Sequence, residues 1–111
     1  MDAYETSDLI AQQKGSGKLY LEFLRTASLS TGVYTLPAGS RDPQQPHTED
    51  EVYYVTHGRG MIRVGEDERA ITVGSIIFVA ANVVHYFHDI SEDLTVLVFF
   101  APAEYANRKA E

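Results

Sequence analysis

Pro46-His47-Thr48-Glu49-Asp50-Glu51-Val52-Tyr53-Tyr54-Val55-Thr56-His57-Gly58 is the stretch whose reading decides the fold. It opens polar, with an imidazole and a carboxylate four positions apart, and continues into β-branched and aromatic residues suited to a pleated surface. Side chains alternate across a strand, so His47, Glu49, Glu51, Tyr53 and Val55 share a face if the segment is extended throughout. A charged Glu51 turned into an apolar interior is costly unless it is paired or coordinated. Further along, Asn82-Val83-Val84-His85 carries a second histidine on another apolar segment. Two imidazoles and a carboxylate drawn from two segments are the minimum set for a facial metal site. Gln45, two residues before His47, offers an amide oxygen to the same centre.

Outward from this stretch the chain reads as short strands divided by turn residues. Leu19–Leu24 and Thr31–Leu36 precede it, and Pro37-Ala38-Gly39-Ser40 opens a polar loop reaching Pro46. Gly58-Arg59-Gly60 reads as a turn into a separate strand, Met61–Val64, and Gly65-Glu66-Asp67-Glu68 as a turn into Ala70–Val73. Gly74-Ser75 precedes Ile76–Val79, then Val84–His88 and Leu94–Phe100 follow. Eight or nine strands at this spacing, with no long helix, predict an all-β sandwich or barrel. Before them, a short helical turn over Asp8–Gln13 is capped by Ser7 and ended by Gly15-Ser16-Gly17. The expected organisation is an N-terminal arm over 1–17, one barrel domain over 18–102 and a tail over 103–111 to which no structure is assigned.

Composition narrows the partners. A chain of 111 residues is one domain, large enough to bury roughly two-thirds of its unfolded surface. Its 9 Lys and Arg against 16 Asp and Glu give a net charge of −7 with no basic run. A nucleic acid or an anionic membrane surface would repel such a chain, so neither is an expected partner. Without cysteine there is neither a disulfide nor a thiolate metal site. Met1 is followed by Asp2 and Glu5 rather than by a basic and then an apolar stretch, so no signal peptide is read. No apolar run approaches the ~20 residues of a membrane span. The expected location is the cytoplasm.

Two motifs then carry a resemblance. Gly39, five residues, Gln45-Pro46-His47, three residues, Glu51, six residues and Gly58 are spaced like the first motif of the cupin superfamily. That motif has His-x-His, so His47 matches its second histidine and Gln45 stands in the place of the first. Gly74 and His85 are spaced like the second motif, with Ala80, Asn82 and Asp89 replacing its proline, glycine and asparagine. Asn tolerates positive φ better than most residues, and Asp makes the same local turn bonds as Asn. From about Tyr20 to Pro102 the chain thus resembles a small single-domain RmlC-like cupin. That resemblance implies a double-stranded β-helix, or jelly roll.

The resemblance further implies one divalent transition metal (Fe, Mn, Ni or Zn) held by His47, Glu51 and His85. Gln45 is a fourth ligand, a group that supports the ligands or contacts substrate, or a structural residue. Taken singly, an interior histidine is an ordinary core residue; the set within two motifs is what points to metal. His85 shares a strand face with Phe87, whereas Tyr86 and His88 share the other, so His85 and not His88 reaches the centre. His57 falls at a turn, in solvent. Tyr53 is either a catalytic acid lining the pocket or barrel core with its hydroxyl bonded to a neighbour. Glu49 and Asp50 read as a solvated rim, and Arg41, Arg59 and Arg63 as surface.

The leading functional expectation is a metal-dependent enzyme of dioxygenase, isomerase or lyase type, acting on a small organic acid or enolisable carbonyl compound. One alternative is a metal-free sugar isomerase or epimerase with His47 as base and Tyr53 as acid, although such a pair needs only one histidine. The other is a non-catalytic module that binds a small molecule. A homodimer is also expected, because Leu19–Leu24 is apolar on both faces: Leu19, Leu21 and Phe23 on one, Tyr20 and Leu24 on the other. The competing explanation is that the N-terminal helix covers that strand within one chain.

Overall fold

In chain order the computed structural model, which describes residues 1–108, has one helix and six strands. They are α1 (Thr6–Ser16), β1 (Tyr20–Arg25), β2 (Ser30–Leu36), β3 (Asp50–Val64), β4 (Asp67–Thr72), β5 (Ile76–Val79) and β6 (His85–Ala101). The strand order is β1-β2-β6-β3-β4, with β5 also paired to β3, and every pairing is antiparallel. β3 and β6 are long enough to serve two sheets each. Asp50–Val55 of β3 pairs Val96–Ala101 of β6 and, over Glu51–Tyr54, β5; Arg59–Val64 pairs the beginning of β6 and all of β4. The halves close over a core that includes Val55, Ile62, Phe87, Leu94, Val96 and Phe100. The result is an antiparallel jelly-roll barrel, as expected. Among the described residues no helix is long and apolar enough to cross a membrane.

Two expected boundaries dissolve. Gly58-Arg59-Gly60 is not a turn between strands, and Val84–His88 is not separate from Leu94–Phe100; six strands stand where eight or nine were read. The register between β3 and β6 slips between Val55 and His57, between His57 and Arg59, and between Arg59 and Met61. The glycines therefore let one strand bend around the barrel corner instead of reversing, as bulges do. At that corner Gly58 has φ 89°, and a Cβ on it would stand 2.1 Å from the Asp93 carbonyl oxygen. Elsewhere Asn82, in the place of the family's glycine, takes φ 66°.

The helix starts earlier than read. Its N-cap is Glu5 rather than Ser7, without a side-chain cap bond, and it ends at Gly17 in the left-handed region. It packs on β1 and β2, burying Leu9, while Gln13 donates from Nε2 to the Lys18 and Leu19 carbonyls. A bulge between Glu22 and Leu24 places Leu24 opposite Thr31 and Leu21 opposite Val33, so these two leucines share the outer face after all. Val33 of β2 on that face is completely buried, and Leu21 and Leu24 of β1 are half-buried, so α1 supplies part of the cover over this face from within the chain. Inside, Tyr20 lies across Gly32, whose missing side chain makes room for the ring: a Cβ there would come within 2.3 Å of it. Beyond β6, Ala103–Asn107 turns back against the barrel; residues 109–111 of the expected tail lie outside the described residues.

Candidate metal centre

The close juxtaposition of β3 and β6 brings His47, Glu51 and His85 to one point, all three buried. Glu51 Oε1 lies 2.8 Å from His85 Nε2 and 3.2 Å from His47 Nδ1. His85 Nδ1 lies 2.9 Å from the Val83 carbonyl, an acceptor only, which assigns the proton to Nδ1 and turns the Nε2 lone pair to the centre. That lone pair meets Glu51 Oε1 and, at 3.1 Å, the amide oxygen of Gln44. Glu51 Oε2 is buried with no hydrogen-bond partner. Acceptors crowded in this way repel one another unless a proton or a cation sits among them, and an unpartnered buried carboxylate oxygen has the same need. The residues present therefore fit a divalent ion.

The amide in the centre belongs to Gln44, not to Gln45. Gln45 is exposed and lines the cavity from its rim, whereas Gln44 Oε1 takes the Tyr53 hydroxyl (2.9 Å) as well as facing His85. The reason is local. β3 begins only at Asp50, so strand alternation does not extend back to Gln45. Instead Asp42 Oδ1 accepts the Gln44 N–H (3.2 Å), an Asx-turn across Pro43, and Asp42 Oδ2 takes the Gln44 side-chain N–H (2.6 Å). Asp42 also accepts from the Phe87 N–H and the Tyr34 hydroxyl. Its carboxylate thus fixes which way the Gln44 amide points. The Asp42-Pro43 pair was the one signal in the sequence that could have singled out Gln44.

Glu104 was not anticipated at all. Its Oε2 lies 3.1 Å from His47 Nε2, so His47 is held between two carboxylates. Burial alone would pull the His47 pKa down, but its bonds to Glu104 and Glu51 outweigh that and raise it to about 9. Burial likewise pushes Glu51 up, while His47 and His85 more than compensate and leave it below the usual carboxylate range. Tyr53 is 1 % exposed, and burial, reinforced by the Glu51 charge, holds its hydroxyl protonated. Glu49, read as solvated rim, is instead 1 % exposed; it accepts from Thr48 Oγ1, from Tyr105 N–H (2.6 Å) and from Asn107 N–H (3.0 Å). Asp50 is exposed and takes the Ala81 N–H. His57 is exposed, and His88 faces Glu68 and Asp89 away from the centre. Arg41 and Arg59 are exposed, and half-buried Arg63 bonds the Gly65 carbonyl.

A cavity of about 440 Å³ opens over the group, walled by Tyr20, Phe100 and Tyr105 with Glu51, Glu104 and His47 at its polar side. Among the described residues no Lys or Arg lines it. A wider groove of about 1340 Å³ runs along residues 39–46 and 84–91. It is lined by His85 and Gln44 but by neither His47 nor Glu51, whereas the smaller cavity is lined by His47, Glu51 and Gln44 but not by His85.

Comparison with known proteins agrees with this architecture. Residues 32–100 match the family described as cupin domain. An uncharacterised protein of Streptomyces coelicolor is 46% identical over 104 residues, covering 94% of this chain and 99% of its own. Among solved structures, an RmlC-like cupin with a double-stranded β-helix fold from Methanocaldococcus jannaschii superposes with a TM-score of 0.68 at 20% identity, covering 77% of this chain and 80% of its own. The DMSP lyase DddQ of Ruegeria pomeroyi superposes at 0.64 and 23% identity over 68% of this chain, which spans only 39% of that protein.

Proposed function

The chain belongs to the cupin family, and from that premise we propose that it is a metal-dependent enzyme acting on a small organic acid or an enolisable carbonyl compound. Structural neighbours below 25% identity support the fold and no particular reaction. What carries the reading is the convergence of His85 Nε2, Glu51 Oε1, His47 Nδ1 and Gln44 Oε1, in which the His85 lone pair, the carboxylate and the amide oxygen crowd together as acceptors. His47, Glu51 and His85 would hold one divalent transition metal, with the Gln44 amide oxygen beside them. Two imidazoles and one carboxylate suit Fe(II), the added amide oxygen is compatible with Mn, and Ni or Zn would bind tightly on affinity grounds. When bound, the metal orients a chelating substrate and stabilises negative charge developing on its oxygens.

The rest falls to the chain's own residues. No Lys or Arg among the described residues lines the cavity, so in the metal-loaded protein the binding of anionic substrate oxygens would depend on the metal. Tyr20, Phe100 and Tyr105 wall off the apolar part of the substrate. Tyr53, held protonated, donates its hydroxyl hydrogen bond to Gln44 Oε1 and so orients that amide. The metal-free isomerase reading is disfavoured by the same group that would drive it: a His47 raised to about 9 already carries its proton at neutral pH.

Elemental analysis of protein prepared without a histidine tag tests the proposal. One equivalent of metal is expected, lost in His47→Ala and His85→Ala. Gln44→Ala should weaken the affinity and Gln45→Ala leave it unchanged. Stoichiometric metal retained in the His47→Ala, His85→Ala double variant would sink the assignment. Turnover of a panel of small carboxylic acids and carbonyl compounds by the loaded protein, abolished in the same variants, separates an enzyme from a binding module.

A further inference from the structure

His47 and His85 do not meet the centre in the same way. His85 gives its Nδ1 proton to the Val83 carbonyl and faces inward with Nε2. His47 faces Glu51 with Nδ1, while its Nε2 points the other way, to Glu104. Resting on the metal-binding reading above, we propose that Glu104 is the positioning residue of the centre: it takes the Nε2 proton of His47, so that His47 binds the metal through Nδ1. A ligating imidazole whose other N–H is held by a carboxylate has its tautomer and ring orientation fixed and its basicity raised. His47 and His85 are then complementary, each with one nitrogen committed outward and the opposite one inward.

The surroundings of Glu104 are built for this. Its N–H donates to Ser30 Oγ at 2.8 Å, and its carbonyl accepts from Arg25 Nη2 at 2.8 Å. The next N–H, of Tyr105, is taken by Glu49 at 2.6 Å, and that of Asn107 by the same carboxylate. Glu49 is a carboxylate buried to 1 % exposure whose hydrogen bonds all go to Thr48 and to this turn. Burying a charge on hydrogen bonds alone is costly, and its structural consequence here is to pin the turn that carries Glu104. Tyr105, held at φ 65°, stacks on the His47 ring with centroids 5.9 Å apart and closes the same side. The segment following β6 thus belongs to the metal centre, although it lies outside both sequence motifs.

Zinc titration against a chromophoric chelator tests the assignment in the full-length protein. Glu104→Ala is expected to bind zinc 10- to 100-fold more weakly than the wild type. Glu104→Gln keeps an acceptor oxygen without the charge and should fall between the two. A purely structural role would not move the second readout: nitrogen-15 shifts of the zinc-loaded wild type should show His47 metallated at Nδ1 and His85 at Nε2. Metallation of His47 at Nε2, or wild-type affinity in Glu104→Ala, overturns the proposal. Should the wild type bind no zinc, the metal reading falls and this inference with it. Failure of this inference alone shows instead as tight wild-type binding that Glu104→Ala leaves unchanged.

Discussion

At the scale of single residues, the centre links stability to pH in two opposite senses. In metal-free protein His47 is raised from 6.5 to about 9, so its stabilising contribution is complete below pH 6.5 and is lost as pH rises through about 9. The Glu51 partner is lowered, so its contribution appears above the ordinary carboxylate range and is lost on acidification. The two shifts share the His47–Glu51 contact, while Glu104 adds to the first and His85 to the second, so they are not to be added. Metal binding requires His47 deprotonated, so affinity must rise over the window in which metal-free stability falls. The expected result is a melting temperature that drops between pH 6.5 and 9 without metal, and a stabilisation by added zinc that grows over the same range. A metal-free melting temperature flat across that window would contradict the assigned bridging of His47. Of the candidate ligands, Glu51 and His85 were legible because strand alternation and motif spacing both report on which way they face, and His47, which precedes β3, was legible from motif spacing alone. Gln44 was missed by one residue, because an Asx-turn rather than a strand sets its direction. Glu104 was illegible: its approach to His47 comes from a turn pinned by residues 25, 30 and 49, and no local pattern announces a contact that distant in sequence.

At the scale of elements, the position that decides the barrel is the β3 corner at Gly58. Two independent demands fall on it, a φ of 89° and the absence of any atom where a Cβ would meet the Asp93 carbonyl at 2.1 Å. The first alone costs a non-glycine residue on the order of 1 kcal/mol; the second forces β3 away from β6 along the seam that aligns Glu51 with His85. Gly39 provides the control, since it has φ 74° but nothing within 4 Å. Gly58→Ala is therefore expected to lose about 3 kcal/mol or more by urea denaturation, and Gly39→Ala about 1 kcal/mol. Equal losses would mean that the close approach is not what constrains the corner. The same corner explains the misread strand boundaries. Glycine punctuation in sequence does not distinguish a hairpin turn from a bulge, because both need positive φ and a missing side chain; only the pairing partner, here β6 on both sides of the bend, separates them. Where a strand was short and bounded by true turns, as at Ile76–Val79, the sequence reading and the structure have the same limits.

At the scale of the whole molecule, the expectation of a homodimer moves to a different surface. It rested on the outer face of β1, part of which α1 covers from within the chain. Among the described residues no helix covers the outer face of the sheet formed by β5, the start of β3 and the end of β6. Register places Val52 beside Phe78 and Phe99, and Tyr54 beside Ile76 and Leu97, so these six apolar side chains form one contiguous patch without a charge. Phe78 is 58% exposed and Ile76 68%, on β5, which pairs only with β3 and so forms an edge of the sheet. A twofold partner presenting the same patch would bury all six against their counterparts, with the two candidate-site cavities on the opposite, inner faces. The net charge of −7 per chain opposes that association, and salt screens the repulsion within about 8 Å at physiological ionic strength. The expected outcome in sedimentation equilibrium is a dimer whose dissociation constant falls as salt is raised. Phe78→Glu should give monomers, because it places an unpaired charge in the contact, and Leu24→Glu should remain dimeric while losing stability through the helix contact. A wild-type species at the 12.4 kDa chain mass at micromolar concentration in 0.15 M salt would refute the dimer. A dimer that survives Phe78→Glu but dissociates in Leu24→Glu would return the interface to β1.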